Sequence, residues 1–310
     1  MPILTGLAPA KINLGLHVLG RLADGYHEVR TVLQTISLAD TVEVRYSRSG
    51  AGGVTLNCDI GALDTQDNLA AKAAHRLLKA GKYPGKVHIG LVKRIPIGAG
   101  LGGGSSDAAA VLMALSVLLR PAPPDELLYE VASTVGSDVP FFLVGGTAVA
   151  VGHGEEVYPL PDIQRRWLLV LVPEISIETK KAYQSLSQAR RNKNNRLTAA
   201  QRQHIISGFC SSISGSDNAW SLNTTGPLLN DFENVLDGIY PELKKWKQRL
   251  FRVGASTAAL SGSGSALFGV FSDRNAAIQA RKSLGAFSGE SYVVRTLDRK
   301  ACCSVWQQKT

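Results

Sequence analysis

The chain has 310 residues, 45% of them apolar and 19% charged, the composition of an ordinary globular protein long enough for two domains. Its four cysteines, Cys58, Cys210, Cys302 and Cys303, show no CxxC spacing, which argues for a reducing cytosol and against structural zinc. The net charge of +9 admits nucleic acid as a partner, yet the basic residues are spread without an aromatic-interleaved stripe, and a small polyphosphate ligand accounts for the excess equally well.

Along the chain, Ile12, Leu14, Leu16 and Val18 alternate with Lys11, Asn13, Gly15 and His17. That pattern predicts a half-buried strand with Lys11 and Asn13 on one face. A second strand reads through Val42, Val44 and Tyr46. Asp67 is expected to cap a helix over 68–79 that stops at Gly81. Val87, Ile89 and Leu91 alternate in a strand feeding a glycine-rich loop. A helix is expected over 107–119, ended by Pro121, and another over 125–135. Gly136-Ser137-Asp138-Val139-Pro140 then leads into an apolar stretch over 141–151, read as strand. The acid there is suited to cap a turn or to do chemistry.

Pro159 and Pro161 mark a boundary that divides the chain into domains 1–160 and 161–310. A buried strand over 167–172 opens the second half, followed by helical patterns near 179–186, 228–236 and 243–251. The segment 188–223 is polar and reads as a surface insertion. A strand, a glycine turn and a strand occupy 258–270, then a helix over 274–284 and a strand over 292–297. Strands and helices in non-alternating order predict an α+β fold. The longest apolar run, 108–115, is too short for a bilayer, and no charged segment precedes an apolar core at the start. No membrane partner and no secretory leader are therefore expected.

Most of the chemistry is concentrated in Pro96, Ile97, Gly98, Ala99, Gly100, Leu101, Gly102, Gly103, Gly104, Ser105 and Ser106. Glycines let backbone amides turn inward, and a following helix adds unpaired N–H groups and a partial positive charge. Together these make a phosphate site. A branched side chain at Gly103 is expected to fill the space the phosphate needs. The loop is not a P-loop, because the lysine position of that motif holds Gly104. Gly98, Gly100 and Gly103 do satisfy G-x-G-x-x-G, with Asp125 near the distance of a ribose ligand, so a dinucleotide site stays open as an alternative. Against it, the preceding strand ends in Lys93, Arg94 and Pro96, unlike the apolar first strand of a buried parallel sheet. Asp107 adds an acid beside the loop, read here as the helix cap. The six histidines have no metal-ligand spacing, and no G-x-S-x-G, HExxH, HRD or DFG signature is present.

In order and spacing, Pro9-Ala10-Lys11-Ile12-Asn13-Leu14, Arg21-Leu22-Ala23-Asp24-Gly25-Tyr26-His27, Asp67-Asn68-Leu69, the glycine loop, Gly136-Ser137-Asp138-Val139-Pro140 and the run Leu260-Ser261-Gly262-Ser263-Gly264-Ser265-Ala266 make the chain similar to the GHMP kinases. The resemblance covers nearly the whole chain and is strongest over 9–150. It implies two α+β domains with the active site in the cleft between them. It also implies ATP and Mg2+ as cofactors and a small-molecule acceptor, here a cytidine diphosphate-linked methylerythritol phosphorylated on its 2-hydroxyl. By the same resemblance Lys11 and Asp138 are the catalytic pair, and Pro96 to Ser106 form the ATP phosphate loop. Asn68 and Lys93 match positions near the adenosine, Tyr26, His27 and Tyr183 positions around the cytosine, and Asn13 a substrate contact. No dedicated magnesium carboxylate is indicated. A cytoplasmic protein, monomeric or a weak homodimer, with neither nucleic-acid nor membrane partners, is expected.

Overall fold

The computed structural model describes residues 3–21, 25, 27–49, 52–192, 228–303 and 307–309. The alternation seen around Lys11 belongs to a far longer strand, β1 (Ile3–Arg21), which pairs antiparallel with an equally long β2 (His27–Ser47). The register shifts at three places, between Pro9 and Lys11, Asn13 and Gly15, and Val18 and Gly20. Such bulges bend a strand and re-aim its side chains. Two of them flank Lys11 and Asn13.

β1 and β2 form the middle of a seven-stranded sheet with β3 (Gly53–Cys58), β4 (Lys86–Val92), β5 (Thr147–Val151), β6 (Glu156–Pro159) and β11 (Gln307–Lys309). The order is β11-β1-β2-β4-β3, with β5 pairing β2 and β6 pairing β5. The short β3 buries only Val54 and Leu56, too few for its alternation to stand out in the sequence.

α1 (Leu69–Ala80), α2 (Gly103–Leu118), α3 (Asp125–Val135) and α4 (Val139–Val144) share the first core with the β2–β4 side of this sheet. α2 is apolar nearly all round, as a helix buried between layers must be. Three boundaries differ from the sequence reading. α1 is capped by Asn68, whose Oδ1 accepts from the Ala70 amide at 2.9 Å, whereas Asp67 pairs with Lys72 at 2.9 Å. α2 starts at Gly103 rather than Asp107, with Gly102 as its N-cap at φ 72°, so Asp107 is an interior residue and not a cap. Residues 139–144 are helical rather than strand, because Pro140 suits a first turn and Gly145, at φ 67°, ends it.

A second sheet has the order β10-β7-β9-β8, from β7 (Trp167–Pro173), β8 (Thr257–Leu260), β9 (Leu267–Phe271) and β10 (Gly289–Arg295). Around it lie α5 (Thr179–Asn192), α6 (Glu233–Ile239), α7 (Pro241–Arg252) and α8 (Arg274–Lys282); α9 (Arg299–Cys303) leads back to β11. The helical pattern expected over 228–236 is helix only from Glu233, since Asn230 is bridged to Leu16 of β1. Ala10, Ile12, Leu14, Val32 and Ile36 of the first sheet pack with Leu168, Val170, Ala259 and Phe268 of the second in one shared cluster. Each large side chain fully buried there contributes roughly 1.5–3 kcal/mol, so the two sheets are welded at β1, the strand that carries Lys11. Sheet membership changes between β6 and β7, while β11 crosses back to pair with β1. Most of 188–223, including Cys210, lies outside the described residues. Among the described residues no helix is long and apolar enough to cross a membrane.

Candidate active site

Between the bulges of β1, Lys11 is almost fully buried. Its Nζ donates to Asn13 Oδ1 at 2.7 Å and lies 3.5 Å from Asp138 Oδ2. Asn13 is held in turn, with Nδ2 donating to Thr31 Oγ1 at 2.7 Å and Thr31 donating to the Gly15 carbonyl at 2.7 Å. This chain of bonds fixes which face of the Asn13 amide meets the ammonium. Asn13 therefore orients Lys11, a role that spacing alone did not reveal. Asp138 stands at the N-terminus of α4 but makes no side-chain cap. Its carboxylate is instead one-third exposed and turned to Lys11. The partly exposed carboxylate can take a proton from a substrate hydroxyl, and the buried cation beside it can stabilise the charge that develops.

The phosphate loop closes on this pair. The Lys11 amide donates to the Leu101 carbonyl at 3.0 Å, and the Ser106 hydroxyl donates to the Pro9 carbonyl at 2.7 Å. Ser106 is thus a latch between α2 and β1. Gly98, Gly100 and Gly102 have φ of 69°, 79° and 72°. These conformations are open to glycine at little penalty, and they turn backbone amides toward a concave face. The first-turn amides of α2 lack intrahelical acceptors and face anions favourably. At Gly103 the expected role changes. A Cβ there would press on Ile95 (3.0 Å to Cγ2) and approach Asp40, so a side chain would enter the core rather than the phosphate space.

The third glycine run backs the loop. Ser261 Oγ donates to the Gly100 carbonyl at 3.0 Å and the Ala266 amide to the Ala99 carbonyl at 3.0 Å. A Cβ on Gly100 would overlap the Ser261 carbonyl. Ser263 reaches α5 through a 3.0 Å contact with the Thr179 hydroxyl.

The opposite wall is aromatic. His27 and Tyr183 stack with ring centroids 5.0 Å apart and planes 27° apart, and Tyr183 meets Phe232 edge-on at 4.9 Å. Ser187 Oγ donates to the Tyr183 carbonyl at 2.9 Å, so it accepts from His27 across their 2.7 Å contact, which makes Nε2 the protonated ring nitrogen. Burial, reinforced by the Asp138 charge, pushes the Tyr183 hydroxyl up to about 12, so it stays neutral. Tyr26 lies outside the described residues. Lys11, Asn13, Gly100, Gly102, Asp138, His27 and Tyr183 all line one cleft of about 1440 Å³. Phe232, which the sequence reading missed, lines it too.

Asn68 and Lys93 do not line this cleft. The Asn68 side chain is taken up by the α1 cap and by a bond to the Leu63 carbonyl at 3.0 Å. Lys93 is buried in an ion triad behind the loop. Its Nζ bonds Asp40 and lies 2.5 Å from Asp107 Oδ2. Asp40 Oδ1 also accepts the amides of Arg94 (2.5 Å) and Ile95 (2.8 Å), which bends the chain into the loop. Burial opposes the charge on Lys93, but the two carboxylates outweigh it and raise its pKa. Asp107 Oδ1 is buried without a hydrogen-bond partner. Burial, partly offset by Lys93 and reinforced by Asp40, lifts Asp107 to about 7. Burial and the nearby Asp40 carboxylate thus favour the protonated form of Asp107 against the pull of Lys93.

Residues 68–146 match the GHMP kinases N terminal domain, and residues 219–289 match GHMP kinases C terminal. The chain is 43% identical over 301 residues to a 4-diphosphocytidyl-2-C-methyl-D-erythritol kinase from Solibacter usitatus, covering 97% of this chain and 91% of that protein. A protein of the same name from Geotalea daltonii is 39% identical over 286 residues, 92% of this chain and 94% of the relative. Among solved structures, a 4-(cytidine 5'-diphospho)-2C-methyl-D-erythritol kinase is 35% identical with a TM-score of 0.71, covering 94% of this chain and 98% of that one. A homoserine kinase from Cytophaga hutchinsonii shares the fold at 18% identity, with a TM-score of 0.73 over 99% of this chain and 97% of the other.

Proposed function

This chain belongs to the GHMP kinases and, within them, to the 4-diphosphocytidyl-2-C-methyl-D-erythritol kinases, and on that premise we propose that Lys11 and Asp138 transfer the γ-phosphoryl group of ATP to the 2-hydroxyl of that cytidine substrate. The protein is an ATP-dependent kinase of the non-mevalonate isoprenoid pathway. The observation that carries the residue-level reading is the ion pair of Lys11 with Asp138, set in a cleft between glycine loop and aromatic stack.

Asp138 takes the proton as the 2-hydroxyl oxygen bonds the γ-phosphorus, while the bond from that phosphorus to the ADP oxygen breaks. Lys11, fixed by Asn13, stabilises negative charge on the acceptor oxygen and on the phosphoryl group in flight. The loop from Pro96 to Ser106 holds the ATP phosphates through its backbone amides over 97–105. His27 and Tyr183, with Tyr26, grip the cytosine, with a hydrogen-bonding edge and a flat face. Asn68 and Lys93, whose side-chain polar atoms are taken up by the α1 cap and the triad, stand near the adenosine as supports rather than as side-chain contacts. Mg2+ is placed on the ATP phosphates with a largely aqueous shell, as is usual for this ion. When bound, it neutralises charge on the phosphate oxygens. The proposal extends to domains 1–160 and 161–310, and to a cytoplasmic monomer or weak homodimer without nucleic-acid or membrane partners. A coupled ADP-release assay comparing the cytidine substrate with mevalonate and homoserine tests it. Comparable turnover of all three would refute the cytidine specificity.

A further inference from the structure

Four consecutive residues, from Asn230 to Glu233 at the start of α6, clasp the site from behind. The backbone on either side of Asn230 pairs with β1, the Leu16 amide donating to Leu229 at 2.9 Å and the Asp231 amide to Leu16 at 3.0 Å. Asp231 Oδ2 adds a bond from the Val18 amide at 2.8 Å. Glu233 Oε1 accepts from the Leu260 amide at 2.8 Å, and Phe232 supports Tyr183. At the centre, Asn230 is buried, and every polar group of its side chain is used. Nδ2 donates to the carbonyls of Leu260 (2.9 Å) and Gly262 (2.8 Å), and Oδ1 accepts from the Phe232 amide at 3.0 Å.

Leu260 and Gly262 begin the turn that touches the phosphate loop at Gly100 and Ala99. One amide gripping two carbonyls of a turn fixes its conformation, and apolar packing at the same place would leave those carbonyls buried and unpaired. We propose that Asn230 is a positioning residue. It holds the turn 260–266 in the shape that supports the phosphate loop, and so sets the loop's distance from Lys11 and Asp138. Positioning matters here because an error of about 1 Å between reacting groups can lower a rate about a hundredfold. The kinetic half of this inference rests on the kinase reading; the structural half does not.

The test combines hydrogen exchange of the ligand-free protein with steady-state kinetics on Asn230→Ala and Ser261→Ala. In Asn230→Ala, exchange over 98–104 should accelerate while β3 and β4 keep their protection. kcat should fall roughly ten- to a hundredfold, with KM for the cytidine substrate changed by less than about threefold, as for a residue acting on the transition state rather than on acceptor binding. Ser261→Ala, which deletes one contact of the turn with the loop, should do the same to a smaller degree. The double variant should lose less than the sum, because both changes act through one turn. Unchanged loop exchange in a folded Asn230→Ala, unchanged kcat with lower stability alone, or strict additivity would overturn the inference. Should Asn230→Ala fail to fold, unchanged exchange and kcat in Ser261→Ala overturn it. Loosened loop amides in a protein whose wild type phosphorylates no cytidine substrate would support the positioning and refute the kinase reading.

Discussion

On the side of the glycine loop, where phosphate is proposed to bind, the cleft is made of backbone. Gly100, at positive φ, lies directly against the backbone of Ser261 and Gly264, and Gly262 against Gly100, with the first turn of α2 following the loop. On its acceptor side the cleft is made of side chains from distant places, with His27 at the start of β2, Tyr183 in α5 and Phe232 before α6. On the function proposed above, the difference follows from the ligands. A phosphate is small, charged and common to every ATP, so convergent amides suffice and close packing keeps them still. A base must be told from other bases, which needs flat faces and a hydrogen-bonding edge. Lys11 and Asp138 stand where the two walls meet, one tied to the loop through its own amide and the other heading α4.

The harshest test removes the junction. Asp138→Asn should lower kcat about a hundredfold or more, as loss of a general base does, with both KM values little changed. A near-wild-type kcat in stopped-time assays would take Asp138 out of the chemistry.

Next comes the backbone wall. In Gly100→Ala the new Cβ meets the Ser261 carbonyl at a φ of 79°. It should destabilise the fold by more than about 2 kcal/mol, left-handed strain plus the overlap, and raise KM for ATP, while cytidine binding holds. Gly98→Ala has φ 69° but open space around it. It should show only the left-handed strain of roughly 1–2 kcal/mol. Equal effects in thermal melts and calorimetry would mean that contact with the third run is unimportant.

For the side-chain wall, Tyr183→Leu should weaken the cytidine substrate by roughly five- to a hundredfold, the value of one base stacked on an aromatic ring. ATP affinity should not move. If both ligands weaken equally, the two walls are not separate functional units.

The last effect concerns the triad behind the loop and is read on stability alone. The pKa of Asp107 is raised from its ordinary value to about 7 in the folded protein. The native state therefore binds a proton that the unfolded chain releases, and the associated stability is full below about pH 4 and lost as pH rises to about 7. Asp107→Asn removes this dependence. The Tm of the variant relative to wild type should thus climb between pH 5 and pH 8, and a flat difference would mean that Asp107 is ionised throughout.

The backbone wall was largely legible in the sequence, because glycine spacing has few other uses at a strand-to-helix junction. Its errors were local. Taking Asp107 as the cap overlooked that Gly102 could end the loop in a left-handed conformation and let glycines and serines form the first helical turn. The acceptor wall was legible only through resemblance, since nothing in the spacing of His27, Tyr183 and Phe232 joins them. Asn230 hid inside a pattern that reads as helix, and its amide gives no sign of its partners 30 and 32 positions away.

By itself the sequence determined the α+β class from the order of its strands and helices and, through the resemblance of its short ordered motifs, the family; the phosphate loop and the catalytic pair it offered as proposals. The tertiary structure decided what those residues are free to do. It turned Lys93 inward between two carboxylates, made Ser106 a latch, gave Asn13 to Lys11, and left the Asp138 carboxylate uncapped. The physical reason is that a polar side chain buried on folding must find a partner, and that partner comes from whichever strand or helix packs against it, at a separation the linear pattern does not encode.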